Sequence, residues 1–335
     1  MAGRRTNLAL LGALALALVT GWMAFGAGTG WGRPVVVAHG VAGLAVIALA
    51  PWKSLIAGRG LRKRRRGKPS SLVLTILVVV SLAAGMAHSA GVTGRLAGLA
   101  MMQIHVGAAL AALPFAVAHL ARRAVGMRRT DLTRRNLLRG LGVVTGGALI
   151  YAGLESLFSV LSLPGAGRRF TGSHEIGSHQ PARMPVTQWL NDRVPEISAD
   201  GWRLPVRTRE GERSWSLEEL LDRQAPLTAT LDCTGGWFAE QDWSGVSLRE
   251  LVPPGVAARS VVVRSTTGYA RRFPISDLDR LYLATGVEGA PLSAGHGFPA
   301  RLVAPGRRGF WWVKWVDLIE VDDRPWWLQL PFPTE

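Results

Sequence analysis

Five long apolar runs fill the first half of the chain, at Leu8–Phe25, Val35–Ala57, Leu72–Ala90, Leu96–Leu120 and Leu137–Leu163. Each approaches or exceeds the roughly 20 residues that a helix needs to cross the hydrocarbon of a bilayer, so the pattern predicts five transmembrane helices. From Pro164 onward the apolar runs become short and are bounded by Gly, Pro and polar residues, as at Leu227–Asp232, Ser260–Arg264, Arg301–Ala304 and Trp311–Val316. That texture predicts strands. The expected fold class is therefore an all-α membrane domain of five helices followed by a mostly-β α+β domain. Residues 1–135 are expected to form a four-helix transmembrane domain, 136–163 the fifth helix, and 164–335 a globular domain of about 170 residues, enough for its own core.

Charge separates the two halves further. Residues 1–139 hold 19 Lys and Arg against the single acid Asp131, while the remainder holds 20 against 22, so the net +16 belongs to the first half alone. Nucleic-acid binding would need a basic face. Here the basic residues sit between apolar runs, as cytoplasmic loops do. Arg4 and Arg5, the Lys53–Lys68 stretch with Arg62–Arg66, and Arg122–Arg139 together carry 17 of them, whereas the opposite side has only Arg33 and Arg95. The positive-inside rule then places the N-terminus in the cytoplasm and everything beyond about Pro164 outside, in a multi-pass protein of a bacterial cell membrane.

Just before the fifth run stands Thr133-Arg134-Arg135-Asn136-Leu137-Leu138-Arg139. Paired arginines ahead of an apolar stretch are close to a twin-arginine export signal, which moves domains already folded. A loop at the cytoplasmic face also collects arginines for topological reasons alone. No small-residue cleavage site follows, so the fifth helix is expected to stay as an anchor.

An outer domain with one cysteine cannot form an internal disulfide, which removes the common extracellular use of that residue. Cys233 lies in Thr230-Leu231-Asp232-Cys233-Thr234-Gly235-Gly236-Trp237, at the end of a β-like run and ahead of two glycines that allow a bulky ligand close to the backbone. A thiolate there suits a soft redox metal. A small buried hydrophobe is the plainer alternative.

Two further segments, Gly289-Ala290-Pro291-Leu292 with His296-Gly297-Phe298-Pro299-Ala300-Arg301-Leu302-Val303-Ala304-Pro305-Gly306, and Val313-Lys314-Trp315, complete a pattern. Together with L-D-C-T-G-G-W, with Arg169–Glu175, with Trp243–Leu248 and with Thr267-Gly268-Tyr269, it resembles the sulfite-oxidase superfamily of molybdenum enzymes, which includes periplasmic sulfoxide reductases. The resemblance spans roughly 165–325 and implies a molybdopterin-binding fold and a molybdenum–molybdopterin cofactor. It implies Cys233 as the metal ligand. Arg301 and Lys314 suit the grip on the cofactor's phosphate, bidentate and as a point charge respectively. His296 and Thr267 are expected as cofactor contacts, with His174 as a further one, and Tyr269 beside Cys233 in catalysis. The few residues after Trp326-Trp327 leave no room for the immunoglobulin-like dimerisation domain of sulfite oxidases, which favours the shorter reductase-like architecture. The start of the domain, T-G-S-H-E, does not align residue by residue, so the substrate side of the pocket is open.

Four of the seven histidines, His39, His88, His105 and His119, fall in the apolar runs, and ionisable groups at membrane depth default to function. His105 and His119 share a helix face about 21 Å apart along the axis, a spacing suited to stacked haems. Their depth instead favours a single haem b near the outer side, on His105 with His39 or His88. Histidines used only in helix contacts are the alternative. The whole then reads as a membrane-anchored molybdopterin-dependent oxidoreductase acting on a small-molecule substrate. Its helices anchor it in the lipid bilayer and pass electrons from a quinone or another redox partner. The competing reading is a b-type-cytochrome-like electron-transfer protein with a non-catalytic outer domain.

Overall fold

A computed structural model describes residues 2–61, 68–122, 128, 131, 133–188 and 192–330. The basic residues Arg62–Arg66 and, in the later loop, Arg123 and Arg129 lie outside them. Five long helices come first: α1 (Ala2–Gly26), α2 (Gly32–Leu61), α3 (Lys68–Ser89), α4 (Met101–Arg122) and α5 (Arg134–Val160). All five contain a stretch long and apolar enough to cross a membrane. Their outward faces carry exposed Leu72, Val117, Leu149 and Val160, a pattern that water would penalise and lipid does not.

The fourth span starts later than the apolar run implied. Arg95–Leu96 (β1) and Leu99–Ala100 (β2) pair as a small hairpin turned by Ala97 and Gly98 at positive φ, and the helix begins only at Met101. The fifth begins earlier, so Arg134 and Arg135 occupy its first turn rather than a preceding loop. Small residues set the close approaches between helices. A Cβ on Gly147 of α5 would lie 2.9 Å from the Val41 carbonyl of α2, and one on Gly85 of α3 would overlap the His105 ring of α4. Packing through small residues is what helices use when lipid offers no hydrophobic drive between them.

The chain divides into two compact units, Met1–His174 and Glu175–Glu335. The segment after α5 stays with the first unit because its polar groups cap that unit. Arg168 donates to the Ser89 carbonyl and pairs with Glu155. His88 Nε2 is 2.9 Å from Gly172 O, and His174 Nε2 is 2.7 Å from His88 O.

In the second unit, after the short β3 (His174–Glu175) at the boundary, the elements run β4 (Arg203–Thr208), β5 (Gly211–Ser216), α6 (Leu217–Leu221), β6 (Ala225–Asp232), β7 (Trp237–Ser247), α7 (Leu248–Leu251), β8 (Ser260–Ser265), β9 (Ala270–Pro274), β10 (Tyr282–Val287), β11 (Ala290–Pro291), β12 (Arg301–Val303) and β13 (Val316–Asp322). One sheet joins β6 to β7, β7 to β10, and β10 to both β11 and β12, all antiparallel. The other has the order β5-β4-β13-β8-β9, with β13 and β4 parallel. Alternation along β7 turns Trp237, Ala239, Gln241 and Trp243 inward, and Trp243, Leu283, Leu302, Phe273 and Ile319 are wholly buried in the shared core. Such alternation is the mark of strands packed on one face.

One expected strand is absent. Trp311–Val316 is not extended: a 3-10 turn at Gly309–Trp311 precedes it, Trp315 has φ +52°, and the strand starts at Val316. Trp312, Val313, Trp315 and Val316 are all buried.

Candidate active site

Cys233 directly follows β6, and the four residues Cys233–Gly236 turn the chain into β7. The Cys233 N–H donates to Trp237 O (2.8 Å) and Gly236 N–H to Cys233 O (3.1 Å), with Gly236 at φ +89°. The Gly235 N–H points at the sulfur, 3.3 Å away. Burial pushes the thiol up, opposed by that amide and by Arg308. A metal would reverse the balance, since a coordinating thiol is deprotonated outright.

Behind the cysteine lies an ion pair that motif reading missed. Arg308 donates to Asp232 Oδ1 (2.9 Å) and to the Cys233 carbonyl (3.1 Å), with both side chains almost fully buried. Gly309 packs against the same spot, where a Cβ would meet Cys233 Cα at 3.0 Å. The pair fixes the loop after β12 to the end of β6.

On the other side stand two cations of a different kind. Arg301, at the start of β12, is 3% exposed, donates to His296 O (3.1 Å) and rests beside Trp243 and Trp312. Its Nε has no partner among the described residues. Lys314 donates to Thr187 O (2.9 Å) and Gly295 O (3.0 Å). Burial lowers Arg301 to about 10 and Lys314 to about 7. Neither forms an ion pair among the described residues. Buried basic groups that form no ion pair are costly unless an anion offsets them.

Gly297 explains why this motif needs glycine. At φ +111° its absent Cβ would lie 2.9 Å from Arg301 Cβ and 3.3 Å from Lys314 Cβ. His296 uses Nδ1 on Ser293 (2.9 Å) and Nε2 on Met184 O (3.2 Å), and burial lowers it to about 4. It stands beside Arg301 through its carbonyl. Thr267 donates to Asp192 Oδ2 (3.1 Å) and contacts Ser265 Oγ. Tyr269 gives its hydroxyl to Phe310 O, and burial raises its phenol. Burial likewise raises Asp192, against the Thr267 hydroxyl and Lys314.

The structure brings Cys233, Tyr269 and Lys314 together on one pocket, whose wall also includes Thr187, Asp192 and Trp312. Asp192 was not singled out by the sequence. His174 belongs to the first unit, where its ring meets His88 edge-on at 4.9 Å and burial lowers it. His39 and His105 also come together, with ring centres 5.8 Å apart. Each has Nδ1 on a backbone carbonyl: His39 on Ala17 O (2.8 Å), His105 on Ser81 O (2.7 Å). His119 instead bonds Ser71.

Residues 191–327 match the family described as Oxidoreductase molybdopterin binding domain, which places this region of the chain, after the N-terminal helices, in that superfamily. The chain is 50% identical over 221 residues to the nitrate reductase [NADPH] of Mycosarcoma maydis, covering 47% of this chain and 22% of that protein's length. It is 27% identical over 216 residues to the putative protein-methionine-sulfoxide reductase subunit YedZ1 of Azospira oryzae, covering 58% of this chain and 80% of that one. A solved structure, the sulfane dehydrogenase SoxCD of Paracoccus pantotrophus, is similar at 27% identity and a TM-score of 0.36, over 39% of this chain and 40% of that one.

Proposed function

We propose that this protein is a membrane-anchored molybdopterin-dependent oxidoreductase acting on a small sulfur- or nitrogen-containing oxide or oxyanion on the extracytoplasmic side. The observation that carries it is a buried thiol sharing one neighbourhood with two buried basic side chains, Arg301 and Lys314, that form no ion pair among the described residues. Cys233 holds the molybdenum, Arg301 and Lys314 hold the cofactor's phosphate, and the His296–Gly297 turn braces Arg301. Thr267 stands at the cofactor's edge. The bound cofactor supplies two-electron redox and oxygen-atom transfer. The protein's share is orientation and charge. Gly235 N–H and the Arg308 brace set the sulfur's direction, and the Tyr269 hydroxyl, tied to Phe310 O, fixes the pocket wall. A twin-arginine route for the loaded domain accords with Arg134 and Arg135 at the head of α5.

The helices serve as anchor and electron conduit, and haem b is proposed between His39 and His105. Both rings use Nδ1 on a carbonyl, which leaves both Nε2 atoms for iron and sets the tautomer metal-ligating histidines need. His88 is the weaker ligand, because its Nε2 is engaged by Gly172 O. A quinone or similar carrier would deliver the electrons.

Metal analysis of the purified full-length protein tests the reading, with about one molybdenum per chain expected. Cys233→Ser is expected to lower turnover with a reduced viologen by more than the roughly hundredfold typical of outer partners of a metal site. Absence of molybdenum, or full activity in the Cys233→Ser protein, would sink it. A reduced-minus-oxidised spectrum that is unchanged by His105→Ala removes the haem.

A further inference from the structure

Away from the pocket of Cys233, three side chains of metal-ligating type converge from three separate segments of the β-rich unit: His179 in the loop after β3, Asp242 in β7 and Glu288 in the turn between β10 and β11. None of them lines that pocket. His179 Nδ1 lies 3.0 Å from Glu288 Oε1 and 3.8 Å from Asp242 Oδ2, and one donor atom of each residue falls within 4.8 Å of the others. Ligands placed tetrahedrally about 2.1 Å from a zinc ion stand about 3.4 Å apart, an edge that the two separations from the imidazole bracket.

The backbone holds the three segments together. His179 N–H donates to Glu240 O (2.9 Å), Glu288 N–H to Asp242 O (2.7 Å) and Asp242 N–H to Glu288 Oε1 (2.8 Å). Behind the donors stands the arrangement that metal ligands use, in which the far ring nitrogen of a histidine faces a carboxylate and a ligating carboxylate is itself hydrogen-bonded. His179 Nε2 faces Glu240 Oε1 at 3.8 Å. Asp242 Oδ1 accepts from Thr228 Oγ1 (2.6 Å), which leaves Oδ2 turned to the imidazole. Three carboxylates thus surround one imidazole, and no Lys or Arg among the described residues forms an ion pair with any of them. His179 and Asp242 are exposed and Glu288 partly so, which gives an ion a path in and water a place beside it.

Carboxylates alone would suit any cation. The imidazole nitrogen changes the selectivity, because it favours zinc and its neighbours in the transition series over magnesium and calcium, which prefer oxygen throughout. The geometry points to a zinc-type site on His179 Nδ1, Asp242 and Glu288, completed by water, that fastens the loop after β3 and the β10–β11 turn to β7. It is independent of the function proposed above.

Calorimetric titration of zinc chloride, and separately of magnesium chloride, into the purified, untagged full-length protein tests it. Zinc is expected to bind with a Kd on the order of 1 μM, at least about a hundredfold tighter than magnesium. His179→Gln and Asp242→Asn should each weaken zinc by more than about a hundredfold, and Glu240→Gln, which touches only the far ring nitrogen, by about tenfold. Zinc should raise the melting temperature of the wild type and leave that of Asp242→Asn unmoved, with the melts in EDTA serving as the check on folding. Glu240→Gln keeps the proposal testable should a ligand variant fail to fold. Zinc binding no tighter than magnesium binding marks an ordinary acidic surface and overturns the proposal. So does a zinc affinity that these substitutions leave unaltered.

Discussion

The two units solve opposite problems with their polar groups. In the helical unit, the outward face is apolar and each described histidine of the spans is satisfied locally, by Ala17 O, Ser81 O, Gly172 O or Ser71 Oγ. Lipid provides no hydrogen bonds, so such groups must be paid for inside. In the β-rich unit water covers the surface, and burial is reserved for a core of Trp, Leu, Ile and Phe with charges concentrated around one thiol. Within that unit the contrast sharpens again: Arg308 is buried in an ion pair with Asp232, whereas Arg301 is buried with no ion pair among the described residues. One braces the turn at Cys233; the other is proposed to await the cofactor's phosphate.

Arg308→Met should break that contrast most strongly, leaving Asp232 buried and unpaired and destabilising the protein by about 3–5 kcal/mol. Arg301→Met removes a cation that has no acid to strand, so the melting temperature of cofactor-free protein should hold or rise while molybdenum content falls. Equal losses of stability in the two variants would erase the distinction between brace and site. Thermal melts with metal analysis decide it.

The same apolar truncation should read differently in the two units. Leu283→Ala, in a fully buried strand, should cost about 2–5 kcal/mol. Leu149→Ala, on an exposed face of α5, should change unfolding in detergent or lipid by less than about 0.5 kcal/mol. Between these lies a pH effect confined to the β-rich unit. His296 is lowered from 6.5 to about 4, so the unfolded chain binds the extra proton first as pH falls. Stability is then full above about pH 6.5 and is lost progressively towards pH 4, by up to about 3 kcal/mol. His296→Gln should flatten that part of the curve, and an unchanged slope would show that another group carries it.

Legibility followed the range of the interaction. The five spans could be read because crossing a bilayer demands about twenty apolar residues in one place, and Cys233, Arg301 and Lys314 could be nominated because their neighbours form contiguous motifs. The end of the fourth run was misjudged because a hairpin at Arg95–Ala100 is as apolar as a helix start. Trp311–Val316 was misjudged because aromatic weight favours strand in isolation, while the pocket needs a turn there. Asp232 and Arg308 are 76 positions apart, and no local pattern joins them.

The sequence by itself determined that an apolar helical half precedes a β-rich half, that the lone cysteine could not be in a disulfide within its own domain, and which segments are proposed for a phosphate grip. These are properties of runs and neighbours. Only the tertiary structure decided that Arg308 is paired with Asp232 while Arg301 has no ion pair among the described residues, that His39 meets His105 across helices, and that a carboxylate at position 192 stands on the pocket of Cys233. Charges acquire their meaning from what faces them once water is excluded, and that is a matter of packing rather than of order along the chain.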